Sequence, residues 1–166
     1  MNAKLILAAS AAALLCSAMI VGTGAAQAPA TASAPADKAA SMKERHHHFH
    51  ELGAAFKGVL DEFKKPDPSA VELQKYTAAL DALAPQVPSW FPVGTGPETG
   101  IKTQALATIW QKPDEFKKDA AALAVAAHTM NVAAQSGNLD AVRASIQPLG
   151  LACKSCHEVF RAKDEH

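Results

Sequence analysis

Neither sign of charge is in excess: 16 Lys and Arg balance 16 Asp and Glu over 166 residues. No basic stripe is present to neutralise phosphates, which argues against nucleic acid or an anionic membrane surface as a partner. Aromatic residues are scarce, at 5%, and alanine is abundant. Both favour helices over a β-sandwich. Strand-like alternation and internal repeats are lacking. So are interpretably spaced carboxylate pairs, a Ser-His-Asp arrangement and a Gly-rich phosphate loop. A single domain that is not an enzyme is therefore expected.

Cysteine is also sparse: Cys16, Cys153 and Cys156. The first of these lies in what reads as a targeting segment. Lys4 supplies a short positive region, Leu5 to Val21 an apolar run, and Gly22 to Ala28 small residues, the pattern of a secretory signal peptide. Gly24 and Ala26 suit cleavage before Gln27, giving a signal over residues 1–26 and a periplasmic destination. An uncleaved anchor is the alternative, because the run approaches the ~20 residues of a membrane span. Leu15 precedes Cys16 where a lipoprotein signal needs a small residue, so Cys16 is expected to leave with the signal. Residues 27–38, rich in Ala, Pro, Thr and Ser, read as a flexible leader.

From residue 39 the pattern turns helical. Phe49, Leu52, Phe56, Val59, Leu60 and Phe63 recur on one face. A capping box at Ser41 and Glu44 places the helix start near Ala39 or Ser41. Pro68-Ser69 opens a second helix with a stripe of Val71, Leu73, Tyr76, Leu80 and Leu83, ended by Pro85 and Pro88. After a turn-rich segment, Leu106, Ile109 and Trp110 suggest one helical turn. A third helix starts at Lys112-Pro113-Asp114, carries Phe116, Leu123, Val125, Ala127, Met130 and Val132, and stops at Gly137. The fourth, from Asn138 or Asp140, holds Val142, Ile146 and Leu149, with a bend expected at Pro148. The expected fold is all-α, an antiparallel four-helix bundle over residues 39–166.

The last helix also carries Cys153-Lys154-Ser155-Cys156-His157. Two thiols two residues apart with a His directly after are the signature of covalent haem c attachment. Cys153 and His157, four apart, share a helical face that Cys156 adjoins. Both thiols can then form thioethers while His157 reaches the iron as proximal ligand. A zinc site would need a fourth ligand at matching spacing, and a redox dithiol needs no His; both are weaker readings. Phe160 is expected to pack near the haem or in the bundle. Arg161 is either near the proximal imidazole, where its charge would raise the reduction potential, or an ordinary solvated Arg.

An attachment motif this close to the C-terminus, on the last of four helices, resembles the cytochrome c′ family. The resemblance covers Lys38 to the end. It rests on Arg45-His46-His47-His48-Phe49 with Leu52-Gly53 and Phe56, on Phe91-Pro92-Val93-Gly94-Thr95-Gly96, on Ile109-Trp110, and most specifically on Gly137 to Val142 leading into Cys153 to Arg161. It implies that Arg45 lies near a haem propionate and that Phe49 faces the open side of the iron. Low-spin relatives carry a methionine ligand there, and Phe cannot ligate. The expectation is thus one five-coordinate haem behind an apolar distal pocket, serving one-electron transfer with redox partner proteins or binding nitric oxide or carbon monoxide. Homodimers through the first two helices are common in the family.

The cluster His46, His47, His48 and His50 departs from that pattern. His46 shares part of the Phe49 face and is a rival sixth ligand, which would make a low-spin electron carrier. His46 and His50, at i, i+4, are a candidate Zn or Cu pair. The remaining reading is four solvated histidines. Met42 and Met130 are weaker ligand candidates, and His128 and His166 have no evident partner. Trp90 and Trp110 are expected at the bundle end or beside the haem.

Overall fold

The computed structural model describes residues 35–163, so the expected signal peptide, the leader up to residue 34 and His166 lie outside the described residues. Helix α1 spans Pro35–Glu62, α2 Ala70–Leu83, α3 Thr108–Gln111, α4 Pro113–Gln135 and α5 Leu139–Phe160. Helix α1 begins before the expected start. Ser41 is not its cap: the hydroxyl donates to the Asp37 carbonyl one turn back, and the strong helix formers Ala39 and Ala40 carry the helix through. The other boundaries follow their signals. Ser69 caps α2 by accepting from the Glu72 N–H, and Asn138 caps α5 by accepting from the Ala141 N–H. Pro113 occupies the first turn of α4, where its missing N–H costs nothing. Gly137, at φ 73°, closes α4 in a left-handed conformation that other residues avoid. Helix α5 runs continuously through Pro148.

The four long helices form an antiparallel bundle. The pairs α1–α2, α2–α4 and α4–α5 pack closely, while α1–α5, the pair that would close the ring, does not rank with them. The α1–α2 pair comes so near at Gly58 that a Cβ there would sit 2.6 Å from the Tyr76 ring. Val59, Leu73, Leu80, Met130, Val142 and Leu149 are fully buried, each stabilising the fold by about 1.5–3 kcal/mol relative to exposure. Three expected core residues are instead exposed: Val71 at 72%, Val125 at 67% and Val132 at 54%. On α4 the inward face is held by Phe116, Ala120, Leu123, Ala127, Met130 and Ala134. Small alanines let the helices approach, and the valines fall on the outer side of the turn. Among the described residues no helix is long and apolar enough to cross a membrane.

Candidate haem site

One end of the bundle gathers the motif residues. It is built by the N-terminal half of α1, the 3₁₀ turn Ala84–Trp90 after α2, the start of α4 and the last turns of α5. The segment before α3 anchors the end of α5. Leu106 N–H donates to the Phe160 carbonyl at 3.0 Å, Ala162 N–H to Gln104 at 2.8 Å, and the Thr108 hydroxyl to Val159 at 2.9 Å. Carbonyls that a helix C-terminus leaves without partners are thereby satisfied, and the turn bearing His157 and Arg161 is held in place.

Cys153 and Cys156 are both free thiols, half-buried against the core. Burial pushes the Cys153 thiol up, and pushes that of Cys156 up to about 11, with the Asp119 carboxylate and Cys153 adding to it. Raised thiol pKa values disfavour a reactive dithiol. Among the described residues no group of three or more His, Cys, Asp or Glu is set to hold a metal. His157 is exposed as a residue, yet its imidazole is partly desolvated along α5. That desolvation, with Arg161 next to it, holds its pKa below the usual histidine value, leaving the neutral form that a metal needs. Arg161 donates from Nε and Nη2 to the Gln104 side-chain oxygen, at 3.1 and 3.0 Å.

Arg45 is 5% exposed. Its guanidinium donates to Thr95 Oγ1 at 3.1 Å, to the Thr95 carbonyl at 3.0 Å and to Thr103 Oγ1 at 3.2 Å, and lies 4.7 Å from the centre of the Phe91 ring. Burial lowers its pKa, and the more distant Glu98 offsets part of this. Neutral oxygens and a ring solvate the cation, but no carboxylate in the described residues pairs with it directly. A buried charge without a counter-ion is costly. Thr103 and Gln104 carry no sequence signal for these contacts. Thr95 stands between two glycines in a loop the sequence does single out.

Phe49 is half-buried, edge-on to Trp90 at 5.1 Å and to Phe91 at 5.9 Å. Phe91 continues to Phe116 at 4.9 Å, and Phe116 to Phe160 at 5.2 Å. Trp110 donates its indole N–H to the Phe91 carbonyl at 3.2 Å. Both tryptophans thus sit at this end. Long side chains span the α1–α5 seam: a Cβ on Gly150 would meet the Phe56 ring edge, at 3.9 Å. Arg143 lies 4.4 Å over the Phe63 ring lower down. Two thiols, a neutral imidazole, a cation that no carboxylate among the described residues pairs with directly, and a lining of rings fit a flat apolar macrocycle with acidic side chains. A groove of about 810 Å³ lined by Val125, Pro148, Leu151 and Ser155 lies on another flank of α5 and contains none of these groups.

His46 is exposed, its ring 6.1 Å from that of His50. His48 stacks on Trp90 at 5.0 Å, and both His47 and His48 contact Glu51. Met42 is buried and accepts from the Thr99 hydroxyl; Met130 is in the aliphatic core. His128 pairs with Asp81 of α2 at 3.2 Å.

Residues 40–161 match the family model described as Cytochrome C′. The chain is similar to the cytochrome c′ of Pararhodospirillum photometricum, 38% identical over 122 residues that cover 73% of this chain and 90% of that protein. Its fold is similar to a solved cytochrome c′ with an unusual ligand-controlled dimer dissociation, at TM-score 0.70 and 23% identity, covering 80% of this chain and 99% of that one. It is likewise similar to a nitric oxide complex of a cytochrome c′ variant from Alcaligenes xylosoxidans, at TM-score 0.66 and 24% identity, covering 80% and 99%.

Proposed function

Since the chain belongs to the cytochrome c′ family, we propose that Cys153, Cys156 and His157 hold its covalent c-type haem and leave the sixth iron position to a small gas. The family's role is one-electron transfer and gas binding, and the haem supplies both when bound: a reversible one-electron couple and an open coordination site. The chain's residues do the rest. His157, kept neutral by desolvation and Arg161, offers a lone pair as proximal ligand. Arg45, already desolvated and hydrogen-bonded, provides the positive charge for a propionate. Arg161, held by Gln104, keeps a cation on the proximal side. Phe49 is the distal screen: a hydrocarbon ring wedged between Trp90 and Phe91, which excludes water and polar ligands and cannot ligate.

The wedged Phe49 is the observation that carries this reading. His46, the rival ligand, is exposed beside His50. Nitric oxide is the leading gas, as a relative of the same fold is solved with it bound. Function as an electron and gas carrier rather than an enzyme suits Phe49 as the distal residue, since its ring offers no acid or base to a substrate. Export to the periplasm follows from the signal-like N-terminus. A homodimer is the assembly expected of the family. Here α2 exposes Val71, while Val125, Val132 and Leu151 lie exposed on α4 and α5, so a pair formed through α1 and α2 would be largely polar.

The test is the absorption spectrum of purified holoprotein, oxidised and reduced, with and without nitric oxide or carbon monoxide. A high-spin spectrum that shifts on adding gas is expected. A sharp low-spin reduced spectrum indifferent to both gases would remove Phe49 from the distal position and return the sixth site to a histidine of α1.

A further inference from the structure

The four histidines of α1 are not equivalent. His47 has its Nε2 3.4 Å from Glu51, and His48 has its Nδ1 3.3 Å from the same carboxylate while stacking on Trp90. His46 and His50 are both exposed, stand 6.1 Å apart between ring centres, and pair with no carboxylate among the described residues. They stand one helical turn apart, on a flank of α1 that the core does not use. Rings at i, i+4 on one helix are the arrangement by which helical metal motifs present two imidazoles to one ion.

We propose that His46 and His50 form a surface site for a borderline divalent transition ion, with Cu²⁺ bound more tightly than Zn²⁺. Metal–imidazole bonds of about 2.0–2.1 Å bring two ring nitrogens to within about 3–3.4 Å of each other. Exposed side chains reach that spacing by rotating about χ1 and χ2, with no backbone movement. Each imidazole donates one lone pair and displaces one bound water from the hydrated ion; other waters complete the shell. Two protein ligands make a site of moderate affinity, and the order among ions follows the general preference of nitrogen ligands, copper first. The bridged turn contains Phe49. An ion there staples the stretch of α1 that positions the distal ring, although the site itself does not depend on the haem reading.

The experiment is calorimetric titration of purified holoprotein with CuCl₂ and ZnCl₂ at neutral pH. Histidine-to-alanine variants at His46, His50, His47 and His128 run alongside, and helicity and the haem spectrum serve as folding controls. One equivalent of Cu²⁺ per chain is expected, weakened about tenfold or more by His46→Ala and by His50→Ala, and changed less than about twofold by His47→Ala or His128→Ala. Nitrogen hyperfine structure from two imidazoles should appear in the Cu²⁺ resonance and drop to one in either key variant. The proposal is overturned if native protein binds neither ion below about 100 µM. It also falls if His47→Ala abolishes binding while His46→Ala does not, which would move the ion to the Glu51 cluster. A stoichiometry of one ion per two chains would likewise replace the intrahelical site with a bridge between copies.

Discussion

The two ends of the bundle are built on different terms. Around Val59, Leu73, Leu80, Met130 and Val142 the core is aliphatic and fully buried, and polar groups at its edge are paired within the chain. Gln74 donates to the Ala134 carbonyl, Thr77 to Asn131, and Asn131 to Asp81. Around Phe49, Trp90, Phe91, Phe116 and Phe160 the packing is edge-on aromatic. Here no carboxylate among the described residues pairs directly with the buried Arg45, and two half-buried thiols and an imidazole stand on α5. The first end is finished by its own residues. The second carries chemistry that packing alone does not require: a buried guanidinium bonded only to neutral oxygens, two thiols and an imidazole. A site can thus be recognised by where charge and reactive groups are buried as well as by its motif.

The largest effect expected of this contrast comes from removing the proposed attachment points. A Cys153→Ala, Cys156→Ala variant should lose all covalently retained haem on a denaturing gel stained for haem. Amide exchange should then accelerate in α1 around residues 45–52 and in α5 around 153–160, while Leu73, Leu80, Met130 and Val142 keep their protection. Uniform acceleration across both ends would mean that the aliphatic end is not self-sufficient.

Next in size is truncation within the aliphatic end. Leu80→Ala removes a side chain 1% exposed and should cost about 2–5 kcal/mol, by nearly the same amount with and without haem. Denaturant unfolding of both forms checks it. A cost confined to the haem-loaded form would show that the two ends are not separable.

How far the two ends could be read from sequence differs for a physical reason. The attachment motif is local: three reactive side chains at fixed spacing, legible wherever they occur. The helices were legible because caps and breakers such as Ser69, Asn138, Pro113 and Gly137 act within a few residues. The capping pattern at Ser41 points to a start later than the real one because its hydroxyl bonds backwards to Asp37, an alternative that the pattern does not distinguish. Val71, Val125 and Val132 look like core in the sequence but are exposed, because hydrophobicity marks a face only when the partner is known; in α4 alanines hold much of that face. The Arg45 network joins residues 50 and 58 positions apart, and Thr103 and Gln104 look like any loop residues.

Arg45 gives the sharpest comparison of loaded and empty protein. Arg45→Leu strands the oxygens of Thr95 and Thr103 but also removes a costly buried charge. In apoprotein these oppose each other and the change in melting temperature should be small. On the proposed reading the cation also serves an anionic group in holoprotein, so the loss should be larger, about 1–3 kcal/mol. Equal losses in the two forms would mean that no anion reaches Arg45. Arg45→Lys should fall between, keeping the charge but losing the forked geometry.

The smallest effect lies at the aliphatic end and depends on pH. The Glu62 carboxylate, 3% exposed, accepts from the Lys65 ammonium and from the Ser69 N–H at 3.1 Å, tying the end of α1 to the start of α2. The Lys65 bond first, and the Ser69 bond second, hold its pKa below the usual carboxylate value. A depressed folded-state pKa favours the folded form above the unfolded value of about 4.3, and the contribution disappears as pH falls through the folded pKa. The difference in melting temperature between native protein and Glu62→Gln should therefore be level from about pH 5 to 7 and shrink on acidification. A difference that instead grows in acid would reverse the sign and show that the carboxylate is not stabilised by folding. Arg45 offers no such lever, since its charge persists throughout this range. The two ends can thus be told apart by titration alone: acid loosens the tie at Glu62 before it touches the cation at the other end.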